Sequence, residues 1–254
     1  MALALLQGRT RQPWGPLGLM VAVAFVYTTP WDNWLVANEV WTYPPGAVLA
    51  TIGYVPVEEY AFFVLQTVMT GLWVRILQAR IPRPPAAGGA AVRPAGASLF
   101  AVVSLAGAAC LVAGGHWLYL GLILAWAGPV LAGMWWLGGH LIWARRRLMA
   151  WAVVPTTLYL WIADRVAIGL GIWAITDATR TGVELLGLPV EEAIFFLVTN
   201  LLVAQGLVML ERPVGERRRG EDERRRGEAR TVSLRNTALF FASGPLLLFS
   251  GPVL

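Results

Sequence analysis

Two pairs of adjacent glutamates are the residues of this chain best placed to do chemistry. Glu58-Glu59 stands in Pro56-Val57-Glu58-Glu59-Tyr60-Ala61-Phe62-Phe63, and Glu191-Glu192 in Pro189-Val190-Glu191-Glu192-Ala193-Ile194-Phe195-Phe196. Each pair opens a long apolar run. A charge inside such a run costs about 2.5–3.5 kcal/mol on insertion scales, so finding the pair twice asks for a reason. Two aspartates repeat as well: Asp32 lies nine residues before Trp41, and Asp164 nine before Trp173. Carboxylic acids set among amides and aromatic rings suit acid–base work on a lipophilic substrate. A proline followed by acids in the first turn is also an ordinary helix start. That accounts for one copy but not for the recurring Phe-Phe, Asp and Trp, which a duplication retained for structure alone would also explain.

Helices must position these groups. Residues at +4, +7 and +11 share a helix face. From Glu59 that stripe reads Phe63, Gln66, Thr70, and from Glu192 it reads Phe196, Thr199, Val203, with Asn200 adjacent. The stripes from Glu58 and Glu191 are apolar: Phe62, Leu65, Met69 and Phe195, Val198, Leu202. Polar residues in a bilayer turn toward the bundle interior. The spacing therefore predicts Glu59 and Glu192 pointing inward, with Glu58 and Glu191 near the interface.

The chain is 57% hydrophobic and only 14% charged, against about 25% charged in soluble domains. Its mean hydropathy is +0.61. This composition predicts an all-α integral membrane protein. Apolar segments fall at about 16–29 (extending toward 36), 56–77, 97–114, 116–137, 148–169, 189–210 and 232–254, giving seven helices. No basic n-region or cleavage site marks a signal peptide. Every basic residue is Arg. With the N-terminus cytoplasmic and the C-terminus outside, all but Arg165 and Arg180 fall on the cytoplasmic side, as the positive-inside rule asks. The expected location is the plasma membrane, multi-pass. The charged run 211–230 reads as a solvated cytoplasmic linker, and the Arg-rich balance calls for no nucleic acid.

The halves align. The offset is 132 residues at Asp32/Asp164 and 133 at Pro56/Pro189, so one insertion reconciles them. Segments one to three then match five to seven, in a parallel repeat of three, one and three helices. The domains read as 1–114 (first three-helix repeat), 115–147 (linker helix and basic loop) and 148–254 (second repeat). Repeat-built membrane folds often hold their site at the repeat interface. Most of the tryptophans read as interfacial anchors, Trp31, Trp34, Trp41, Trp117 and Trp173 at the outer side, with some of these lining a pocket. Cys110, His116 and His140 read as structural. His116 and His140 lie at opposite ends of one helix, about 36 Å apart, so they share no metal. No dinucleotide fingerprint or Gly-Lys-Ser/Thr loop is present. Neither metal nor cofactor is expected.

Pro-Trp-Asp-Asn-Trp-Leu-Val (30–36), Trp-Thr-Tyr-Pro (41–44) and Pro-Val-Glu-Glu-Tyr-Ala-Phe-Phe with Gln66-Thr67 together resemble the small membrane-integral lycopene cyclases, with both copies on one polypeptide. The resemblance covers about 16–210. The second copy departs from the first: Arg165 replaces Asn33, Ala174-Ile175 replaces Thr42-Tyr43, and Asn200 stands where Thr67 does. The two halves are therefore expected to play unequal roles. The resemblance implies non-redox closure of the linear end groups of lycopene into ionone rings. An alkene is a very weak base, so the proton donor must be a neutral, desolvated acid. On this reading Glu192 or Glu59 donates, and the neighbouring Glu58, Glu191, Asp32 or Asp164 serve as proton partners and final base. Trp41, Tyr43, Phe63, Trp173 and Phe196, with Gln66 and Asn200, would line the substrate and its cation. The partners implied are the carotenoid, membrane lipid and other carotenoid-pathway enzymes. A carotenoid hydratase, a small-solute or proton transporter and a structural scaffold stand as alternatives.

Overall fold

The computed structural model describes residues 13–82 and 91–210. Six α-helices carry the described chain: α1 (Gly15–Ala37), α2 (Val57–Gln78), α3 (Val92–Ala113), α4 (Leu118–Ala144), α5 (Arg146–Gly169) and α6 (Val190–Leu210). The expected seventh segment, 232–254, and the linker 211–230 lie outside the described residues. Four of the helical stretches are long and apolar enough to cross a membrane: α2, α3, Gly115–Ala144 and α6. α1 and α5 are as long, at 23 and 24 residues, and contain Pro30 and Pro155 respectively.

Local chemistry sets the helix ends. α2 and α6 each follow a proline and carry two glutamates in their first turn, where the exposed backbone N–H groups favour carboxyl oxygens. Arg75 in the last turn of α2 donates to the Pro13 carbonyl and lies 4.7 Å from the Trp14 ring, tying down the start of α1. Between α3 and α4 the chain turns at Gly114 (φ 62°) and Gly115 (φ 51°), a backbone that side chains other than glycine adopt only with strain.

Short strands join the helices at one end of the bundle, and sequence reading did not foresee them. β1 (Trp41–Thr42) pairs antiparallel with β4 (Ala174–Ile175). β2 (Thr51–Ile52) and β3 (Val55–Pro56) form one hairpin, and β5 (Glu184–Leu185) and β6 (Leu188–Pro189) another. Helix, strand, hairpin, helix thus recurs in the two halves. The strand from each copy meets its counterpart directly: Thr42 pairs with Ala174, 132 residues on. This is the pairing a two-fold relation between copies produces. The Asn33/Arg165 exchange has a local explanation. Asn33 accepts a bond from the Tyr54 N–H (3.0 Å) and packs on Gly53, whereas the Arg165 guanidinium packs on Gly187 in the matching hairpin.

The core is aromatic and aliphatic. Tyr27, Trp31 and Leu35 of α1 pack with Ile123, Trp126 and Leu131 of α4, Leu148 and Leu160 of α5, and Phe195 and Leu207 of α6. α3 packs along α4 and little else, with only Gly96 and Gly107 buried. Small residues let it approach α4 closely, as in other membrane helix pairs: a Cβ on Gly107 would meet the Ala125 nitrogen at 2.5 Å. Gly107→Val is expected to cost about 1–3 kcal/mol by overpacking, seen as a lowered unfolding midpoint of the detergent-solubilised protein.

Candidate active site

Both acid clusters converge on one cavity at the end of the bundle that carries the strands. Its volume is about 330 Å³. Asp32 comes from the last turns of α1, Glu58 and Glu59 from the first turn of α2, Asp164 from α5 and Glu192 from α6. Trp31, Trp41, Tyr43, Phe62, Phe63, Trp173, Phe195 and Phe196 supply aromatic walls. Among the described residues, no Arg or His lines it. Asp32 interacts electrostatically with Glu59, Glu192 with both Asp164 and Glu59.

The second glutamate of each pair turns toward this cavity and receives a tyrosine hydroxyl. Tyr43 donates to Glu59 Oε1 at 3.1 Å, and Tyr119 donates to Glu192 Oε1 at 2.5 Å. The two tyrosines are unrelated by the repeat: Tyr43 lies in the loop of the first copy, Tyr119 in α4. Glu192 is 3% exposed, whereas Glu59 is half-buried. Tyr43 lies outside the helices; burial, then the nearby Glu59 charge, pushes its hydroxyl far above the ordinary tyrosine range. It therefore remains a proton-bearing donor at any ordinary pH.

The first glutamate of each pair holds its own loop. Glu58 is exposed and accepts from the Leu49 N–H at 2.7 Å. Glu191 differs from expectation. It is fully buried, not interfacial, and its Oε1 accepts from both the N–H and the hydroxyl of Thr181, each at 2.7 Å. A loop folded over the start of α6 displaces the water an interfacial acid would meet. Glu191→Gln preserves that acceptor and is expected to leave stability and activity nearly unchanged. Glu191→Ala leaves the Thr181 donors unpaired and is expected to cost about 1–3 kcal/mol, measurable as a lower unfolding midpoint.

The aspartates are unequal. Both oxygens of Asp32 are buried and without a partner among the described residues, whereas Asp164 has Trp173 within hydrogen-bonding reach. Of the tryptophans expected at the outer side, Trp31 and Trp41 are 1% and 7% exposed and are among those that line the pocket. Trp31 stacks on Trp126 at 4.9 Å and on Phe195 at 5.7 Å, and Trp41 stands edge-on to Tyr119 at 5.5 Å. Gln66 and Asn200 lie deeper than the acids. Gln66 donates to Thr199 at 2.7 Å, and Asn200 accepts from Thr70 at 2.7 Å while donating to Thr157 at 3.0 Å. These bonds join α2, α5 and α6. Tyr119 escaped sequence reading: it lies outside the two matched stretches, and its partner is 73 residues away.

Acids, neutral donors and ring faces, with no basic side chain among the described residues that line the pocket, can pass protons to and from an apolar molecule. A lycopene beta-cyclase of Halobacterium salinarum is 45% identical over 195 residues, covering 76% of this chain and 81% of that protein. A bifunctional lycopene cyclase/phytoene synthase of Gibberella fujikuroi is 40% identical over 202 residues, which cover 76% of this chain and 34% of the fungal protein. No solved structure matches significantly. The family described as lycopene cyclase matches residues 2–77 and 116–208, a span that takes in both acid pairs and leaves out α3, and the chain therefore belongs to the lycopene cyclase family.

Proposed function

We propose that this chain closes the linear end groups of lycopene into β-ionone rings by proton transfer, without net redox change. The observation that carries this reading is the meeting of Asp32, Glu59, Asp164 and Glu192 in one aromatic-walled cavity with no cationic side chain among the described residues that line it. The neutral acid of Glu192, fixed by Tyr119, delivers its proton to C2 of the C1–C2 double bond. The cation forms at C1. The C5–C6 double bond attacks it, the C1–C6 bond forms and the charge moves to C5. Loss of the C6 proton to Asp32, ionised for this step in our assignment, leaves the ring double bond; Asp32 then holds one proton more and Glu192 one fewer, and passage of that proton through the shared acid cluster restores the starting state. Ring faces such as those of Trp41, Trp173 and Phe196 stabilise the passing cation, by about 0.5–2 kcal/mol where a cation lies over a ring.

The cavity size limits what enters. At about 30 Å³ for a water-sized group, 330 Å³ holds on the order of ten non-hydrogen atoms. That is one end group, so the two ends of the polyene react in separate visits. The full arrangement in this reading is three, one and three helices in the plasma membrane, N-terminus cytoplasmic, with residues 1–114 and 148–254 as the copies and 115–147 as the link. Membrane lipid and neighbouring carotenoid enzymes are the surroundings. Expression in a lycopene-making host tests the reaction. Cyclised pigment of unchanged mass supports it. Pigment heavier by water indicates a hydratase, and unaltered lycopene with abundant folded protein removes the cyclase reading.

A further inference from the structure

The duplicated halves close over the cavity differently on its two sides. At the repeat offset, Trp31 of α1 corresponds to Ala163 of α5, and Leu35 to Ala167. Glu191 and Phe195 of α6 correspond likewise to Glu58 and Phe62 of α2. Where α1 faces α6 the site is sealed: Trp31, Leu35, Glu191 and Phe195 are 1%, 0%, 0% and 8% exposed. The seal is α4, the helix with no counterpart in the repeat. It lays Trp126 against Trp31 and Phe195, and sets Tyr119 on Glu192.

Where α2 faces α5, the same four positions are open. Ala163 and Glu58 are exposed, Ala167 and Phe62 half-buried, and all four line the cavity. Small alanines stand where the sealed side has tryptophan and leucine. The flanks are apolar and outward: Leu65, Ile162 and Val166 are 66%, 68% and 53% exposed. Farther along, the two helices are tied again by Trp73 Nε1 donating to the Trp151 carbonyl at 2.8 Å. A second, smaller cavity of about 50 Å³, beside Ala24, shares Phe63 and Phe195 with the first. It has room for about two water-sized groups, too narrow a passage for a branched chain.

We propose that the seam between α2 and α5 is the doorway from the bilayer to the acids. The unreacted part of a long, apolar, linear polyene runs out through it, and Ala163 and Ala167 keep it open. This rests on the cyclase reading and adds its access route: the substrate comes sideways from lipid, through one seam only.

The test compares full-length variants in a lycopene-making host, by the ratio of cyclised pigment to lycopene per amount of membrane-inserted protein. Ala163→Trp copies the sealed side into the open one and is expected to lower the ratio about tenfold or more. Ala24→Phe fills the smaller cavity and is expected to stay within about twofold of wild type. An Ala163→Trp variant that cyclises as well as wild type overturns the doorway. So does an equal or greater loss in Ala24→Phe, which assigns the polyene to the other cavity. A lower amount of Ala163→Trp protein with an unchanged ratio also overturns it, because the larger side chain then disturbs folding and not access. A wild-type protein that forms no ring overturns the cyclase reading itself, which is a separate result.

Discussion

Ring formation is expected to fall by about 10²–10⁴-fold when Glu192 is replaced by Gln, the range that a positioned proton donor contributes. The exchange is almost isosteric. The amide oxygen still accepts from Tyr119, so the wall of the cavity and the fold survive. What disappears is an acidic proton. Glu59→Gln removes the matching group of the first copy and is expected to reduce product as well. Its effect is the smaller, because Glu59 is half-buried and more loosely held, at 3.1 Å from its tyrosine against 2.5 Å for Glu192. Pigment chromatography from host cells measures both. Full ring formation in each single variant and in the double would take these carboxyls out of the reaction.

Asp32→Leu is expected to separate activity from stability. Both Asp32 oxygens are buried without a partner among the described residues, and a buried polar group left unpaired costs about 1–3 kcal/mol. The adjoining cavity has space for the larger side chain. The variant is thus expected to unfold at a higher temperature while losing ring closure about 10²-fold or more, as for a general base. A residue kept for packing would lose stability on the same change. Unfolding midpoint and product ratio, measured on one preparation, decide between the two. A lower midpoint with normal product would show that Asp32 serves the fold and not the reaction.

Part of this site can be read without coordinates. Duplication exposes the glutamate pairs and the aspartates, because an acid that appears twice in an apolar run at one offset has few bland explanations. Helical spacing also separates Glu59 and Glu192 from their neighbours. The same spacing carries less for Gln66 and Asn200. They share the acids' face but sit about two turns deeper, where that face meets another helix, so their polarity is spent on Thr199, Thr70 and Thr157. The tryptophans are ambiguous in principle, since an interfacial anchor and a cavity wall have one composition. Trp31 and Trp41 become walls only because α4 and the strand ladder cover them. Tyr119 could not be found by symmetry, because it lies outside the two stretches that match, about 31–63 and 163–196. The hairpins had a faint signal in Ile52-Gly53-Tyr54-Val55 and Leu185-Leu186-Gly187-Leu188, a turn glycine between β-formers, overshadowed by the strong hydropathy around it.

The ladder between Thr42 and Ala174 carries one more consequence. Each half brings a single short edge that only its sibling satisfies, as two identical subunits would. The covalent thread between the halves adds proximity without adding to that recognition. Severing the gene upstream of α4 should leave two polypeptides that still find each other, rebuild the ladder and restore pigment when made in the same cell.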